Sequence, residues 1–131
     1  MRCAFSAVVL LAAATAALAG PEGSYSVVGV NPDTGGNYTG RVEVSRTGDT
    51  YRVVWNIGGT RYVGTGLGAR VVDGRTIVGV ASHEDTAMAV GYVSAGTFGQ
   101  AFYYIDADGE WSGVWTYAGS KVVSTEKWKR R

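Results

Sequence analysis

The sequence predicts an all-β domain: a single antiparallel up-and-down meander of eight or nine strands closed into a small barrel. Three observations carry that prediction. Beyond residue 19 no window of eleven or more residues places apolar side chains at i, i+3 and i+4, while alternation with period two recurs throughout. Turn signals built from Gly, Asn, Asp and Ser return about every 8 to 12 residues, the rhythm of short strands in a meander. Aromatic-x-Gly also opens three alternating stretches, at Tyr38-Thr39-Gly40, Tyr62-Val63-Gly64 and Trp111-Ser112-Gly113. A meander leaves two ragged edges unless its first and last strands pair. Closing so few strands needs sharp coiling, which glycine on the inner face permits, and a large ring from a neighbouring position then covers the gap.

The chain opens MRCAFSAVVLLAAATAALAG, with one basic residue at Arg2, an apolar run from Ala4 to Leu11, and Ala17-Leu18-Ala19. That layout is a secretory signal peptide, expected to be helical and to be cleaved after Ala19, leaving 20–131 as one domain. A retained membrane anchor fits less well, because spanning needs about 20 predominantly apolar residues. The only cysteine, Cys3, lies within this segment, so the processed chain carries no thiol and no disulfide. Secretion or a periplasmic location follows as the expected compartment.

Nine strands are expected at about 24–30, 37–46, 50–57, 60–68, 75–81, 86–93, 98–105, 110–117 and 121–128. Parity assigns their faces. In the second, Tyr38, Gly40, Val42 and Val44 share one side against Thr39, Arg41, Glu43 and Ser45. In the third, Tyr51, Val53, Trp55 and Ile57 oppose Thr50, Arg52, Val54 and Asn56. In the eighth, Trp111, Gly113, Trp115 and Tyr117 face inward. The fifth and sixth are apolar on both sides, and the pattern does not orient them. In the ninth, Glu126 shares the inner face with Val122 and Trp128, which places a carboxylate inside the barrel or at its mouth. Such a group calls for a partner.

Catalytic constellations are missing. The lone His83 sits in Ser82-His83-Glu84-Asp85, which reads as a solvated hairpin tip rather than a triad. Asp106, Asp108 and Glu110 surround a Gly turn. Asn31, Asp33 and Asn37 match no calcium loop, and no phosphate loop, nucleophile elbow or paired-histidine motif occurs. The expectation is a non-enzymatic protein without metal or cofactor. Once Arg2 is removed the basic and acidic residues balance, which disfavours nucleic acid as a partner. The rings remain as candidates for binding. Trp55, Tyr62, Trp111 and Trp115, with Glu126, are the residues expected to contact a ligand if the interior is hollow.

Taken together, GSYSVVGVNPDTGGNYTGRVEVSRTGDTYRVVWNIGGTRYVGTGL and GEWSGVWTYAGSKVVSTEKW resemble a group of small exported proteobacterial proteins, some of them labelled fibronectin-binding. The resemblance spans most of 23–128 and rests on Asn31-Pro32-Asp33, Gly48-Asp49-x-Tyr51, Trp55-x-Ile57-Gly58-Gly59, Gly64-Thr65-Gly66 and Gly113-x-Trp115. Residues 69–97 depart from the pattern. More loosely the layout is similar to calycin barrels such as avidins and lipocalins, without their ligand motifs. These marks are turns and core rings, so the resemblance implies a barrel and transfers no functional residue. The expected function is a binding module that recognises an extracellular or envelope protein through its outer face and loops. So small a barrel has little spare volume, and its hairpin loops are numerous and polar; the fibronectin-binding label would mean the same. The alternatives are a carrier of a small apolar ligand and an inhibitor of a hydrolase such as lysozyme.

Overall fold

The computed structural model describes residues 20–131, so the expected signal segment 1–19, with Cys3, lies outside the described residues. Nine strands follow in order: β1 (Gly23–Val30), β2 (Asn37–Thr47), β3 (Thr50–Ile57), β4 (Thr60–Val72), β5 (Arg75–Gly79), β6 (Ala87–Ser94), β7 (Thr97–Ile105), β8 (Trp111–Tyr117) and β9 (Ser124–Arg130). Eight of them close a ring, β1-β2-β3-β4-β6-β7-β8-β9, in which β9 returns to β1 and every neighbouring pair is antiparallel. The barrel is therefore an up-and-down meander with no open edge in its wall.

The ninth strand of the count is the exception. β4 continues four residues past the expected end at Gly68, and β5 pairs only with that overhang, from Gly68–Gly79 to Val72–Arg75. This hairpin projects from the barrel, and Val71, Val72, Ile77 and Val78 are exposed on both of its faces. Their apolar character on two sides, which left the fifth strand without an orientation, marks a flap and not a buried strand. β6 sits in the wall, with Met88 and Val90 inward.

Hairpin chemistry fits the tight connections. Gly58-Gly59, Asp73-Gly74 and Ala95-Gly96 each place two residues at positive φ between directly paired strand ends. That is the two-residue turn whose twist matches flanking strands. Inside, the faces follow parity: Tyr25, Val42, Tyr51, Val53, Trp111 and Trp128 are buried together. The inner glycines are indeed covered by rings, but the covering ring comes from the paired strand and not from the same aromatic-x-Gly unit. A Cβ on Gly29 would stand 2.1 Å from the Tyr38 ring, and one on Gly113 would stand 2.3 Å from the Tyr103 ring. Those residues are cross-strand partners.

The two ends of the barrel differ. One is closed by the 80–86 loop, which buries Ala81 and Asp85. Asp85 accepts hydrogen bonds from the Tyr51 hydroxyl (2.6 Å) and the Ser82 amide (2.8 Å) and pairs with Arg70 at 3.2 Å. Only His83 and Glu84 of the expected solvated tip face water, because Asp85 turns inward to plug the barrel. Gly20 and Pro21 are buried at this end too, held by Arg130 donating to the Gly20 carbonyl and Tyr25 donating to the Pro21 carbonyl. The other end, ringed by the loops after β1, β3, β6 and β8, is open.

Candidate ligand-binding site

The open end leads into a cavity of about 440 Å³. Its organising group is Glu126, which the alternation of β9 turns inward and leaves 6% exposed. Glu126 is paired with Gly29 on β1 and with Gly113 on β8. The missing side chains on both flanks have a purpose. They let the rings of Tyr38 and Tyr103 lie across the glycines and reach the carboxylate. Tyr38 Oη donates to Oε2 at 2.5 Å and Tyr103 Oη donates to Oε1 at 3.0 Å. Trp55 Nε1 at 2.9 Å and Trp128 Nε1 at 2.5 Å also donate to Oε1.

All four donors are neutral, and the two indoles can only donate. Three donors meet on Oε1 and a fourth on Oε2, and each indole makes the oxygen it reaches an acceptor. The carboxylate acts back on the phenols. Burial, reinforced by the Glu126 charge, pushes the Tyr103 and Tyr38 hydroxyls well above the ordinary tyrosine range, so both remain protonated donors. The same two causes, in that order, raise Tyr92 to about 12.

Above this floor the walls are aromatic. Trp55 meets Tyr92 edge-on at 5.8 Å, Tyr62 meets Tyr92 at 6.3 Å, and Tyr38 meets Trp115 at 6.2 Å. Trp115 Nε1 is buried without a hydrogen-bond partner of normal geometry, although it points close enough to the Tyr38 hydroxyl to oppose its upward shift as a weak donor. At the mouth Asn31 Oδ1 accepts the Asp33 amide at 2.9 Å, folding the Asn31-Pro32-Asp33 loop over the rim. Asp33 in turn accepts the Tyr117 hydroxyl at 2.5 Å. Among the described residues, the side chains lining the cavity include these two carboxylates and no Lys, Arg or His.

Of the residues expected to contact a ligand, Trp55, Tyr62, Trp115 and Glu126 are brought together here. Trp111 is not. It is buried beside its β9 partner Trp128, in the half of the core nearer the closed end. Sequence reasoning missed Asp33, Tyr92 and Tyr103 as lining groups; Tyr92 shares the inner parity of Val90 and Tyr103 that of Ala101, which only the strand pairing reveals because the sixth strand is apolar on both sides. Among the described residues no three His, Cys, Asp or Glu side chains converge to hold a metal. His83 stands at the opposite end of the barrel. On β7–β9, Lys127 pairs with Asp106 at 3.4 Å and Glu110 at 3.3 Å, which accounts for that acidic turn as surface structure.

No protein-family model, curated protein or solved structure matches the chain. What stands is a closed eight-stranded antiparallel β-barrel with one projecting hairpin and a ring-lined cavity at its open end.

Proposed function

We propose that the protein is an exported, non-enzymatic carrier that holds a small ring-bearing ligand inside the barrel mouth. One observation supports this reading above all: the core is not filled to the top, and the barrel mouth opens into a ring-lined cavity. About 440 Å³ exceeds the roughly 300 Å³ at the low end of small-molecule sites, and its walls combine aromatic faces with a few fixed polar groups. Sequence reasoning leans instead towards recognition of a macromolecule, on the premise that so small a barrel is filled. The cavity removes that premise.

Titration of intrinsic tryptophan fluorescence with a panel of ring-bearing molecules tests the carrier. Saturable changes are expected, and they should vanish in Ile57→Trp, which fills the mouth. Flat titrations across the panel by a folded protein would send the function back to the surface.

The second reading keeps one specific support. On the outer wall Leu67, Ala89, Phe102 and Val114 lie in one cross-strand row over β4, β6, β7 and β8, and Val93 pairs with the 63% exposed Phe98 beside it. An apolar wall of that extent suits contact with another protein, as the fibronectin-binding label of the resembling group would require.

Export belongs to the same proposal. Cleavage after Ala19 would leave Gly20-Pro21 as a start already tucked under Arg130 and Tyr25. N-terminal sequencing of the protein from a periplasmic fraction or culture medium should read Gly-Pro-Glu; a membrane-bound product retaining Met1 would refute it.

A further inference from the structure

We infer that the ligand of the barrel mouth is an organic cation, an ammonium or amidinium ion carried on a ring or alkyl group, seated between the aromatic walls with its charge towards Glu126. The inference rests on the carrier reading and goes beyond it by naming the charge of the ligand.

Three independent features of the cavity point the same way. The first is a carboxylate with no basic partner. Glu126 is buried, every group that touches it is neutral, and no basic side chain among the described residues lines the cavity. Hydrogen bonds disperse a buried charge without cancelling it, and burying it further under an apolar ligand would cost solvation with no return. A cation arriving beside it supplies the missing half of an ion pair. Oε2, which accepts only the Tyr38 hydroxyl, retains the capacity for an N–H donor.

The second feature is the wall. Trp55, Trp115, Tyr38, Tyr62 and Tyr92 surround the space, and the faces of such rings carry negative charge that attracts organic cations. The third is the mouth. Asp33 is turned to the rim by Tyr117, so an approaching ligand passes a second carboxylate and an anion is opposed twice. A bare metal ion is a poor alternative, because it needs several converging oxygen or nitrogen ligands, and the described residues offer no such cluster.

A charge series of one shape tests this: 2-phenylethylammonium, 2-phenylethanol and phenylacetate, titrated by calorimetry and by tryptophan fluorescence into the processed protein. The ammonium ion should bind at least tenfold tighter than the alcohol, and phenylacetate should be the weakest of the three. Glu126→Gln should bring ammonium and alcohol to within a few-fold of each other. Should that variant fail to fold, the series on the unmodified protein decides alone, and Asp33→Asn at the exposed mouth should lower ammonium affinity while leaving the alcohol unchanged. An alcohol or carboxylate that binds as tightly as the ammonium overturns the cation while leaving the carrier intact. Failure of all three to bind overturns the cation too, and the broader panel with Ile57→Trp then judges the carrier separately.

Discussion

At the scale of single residues, the site is organised by one carboxylate and two glycines. Gly29 and Gly113 flank Glu126, and their bare backbone is what allows Tyr38 and Tyr103 to cross the strands and donate to it. The donors are not equivalent to the other rings of the cavity. Trp55→Phe removes a hydrogen bond to a buried charge and should destabilise by about 1.5–3 kcal/mol. Trp115→Phe removes an indole N–H that has no acceptor at normal geometry and should cost less than about 1 kcal/mol. Urea midpoints of the two variants check the contrast; equal losses would mean that ring volume and not the bond to Glu126 matters. Gly113→Ala forces the buried Tyr103 ring aside and should cost about 1–3 kcal/mol, with the loss of ligand affinity as its second readout. The inward aim of Glu126 was legible from parity. Trp128, two residues on, shares that face, but Tyr38 and Trp55 lie 88 and 71 residues away in sequence, and only the register brings them in.

Elements were legible where one face of a strand met water. Alternation then encodes the facing directly, and β2, β3 and β8 fall where their polar and apolar residues divide. It fails for the β4–β5 hairpin, since exposure of Val71 and Val72 on opposite faces gives the same pattern as burial of both. The barrel closes through β4 and β6 without this flap. Replacing Val71–Thr76 by Asn-Gly joins the paired residues Arg70 and Ile77 through a two-residue turn and keeps the Arg70–Asp85 ion pair. The shortened protein should fold with its urea midpoint nearly unchanged, and a large loss of stability would show that the flap supports the barrel. The turns themselves hold a correctable strain. Ala95 sits at φ 41° ahead of Gly96, a conformation that costs an L-residue with a Cβ about 1–2 kcal/mol and that Asn tolerates better. Ala95→Asn should therefore stabilise by about 0.5–1 kcal/mol.

On the scale of the whole molecule, the barrel is a tube stoppered at one end and wet at the other, and buried phenols tie both ends. Tyr51 donates to Asp85 at the stopper, Tyr25 to the Pro21 carbonyl beside it, and Tyr38 and Tyr103 to Glu126 under the mouth. The hollow itself was not legible in the sequence, since parity reveals which rings point inward but not the volume they leave between them. The phenols predict a response to alkali that tests this arrangement from end to end. Burial lifts Tyr25 to about 12, against the opposing charge of Arg130, and burial with the Glu126 charge lifts Tyr92 equally far. Tyr51 is raised by burial and by Asp85, and Tyr38 and Tyr103 are raised further still. In the unfolded chain these groups lose their protons near 10.0. Between that value and the folded values the native state binds more protons than the unfolded one, so stability falls as pH rises. The stabilisation is complete below pH 10.0 and is lost as pH climbs through about 12 and above. Urea midpoints should hold steady from neutral pH to the onset of that window and then drop. Tyrosinate absorbance of the native protein should lag behind that of free tyrosine and rise together with unfolding. A native barrel whose tyrosines all ionise at the ordinary value, with the urea midpoint unmoved, would show that these rings face water and that the cavity is not built as described.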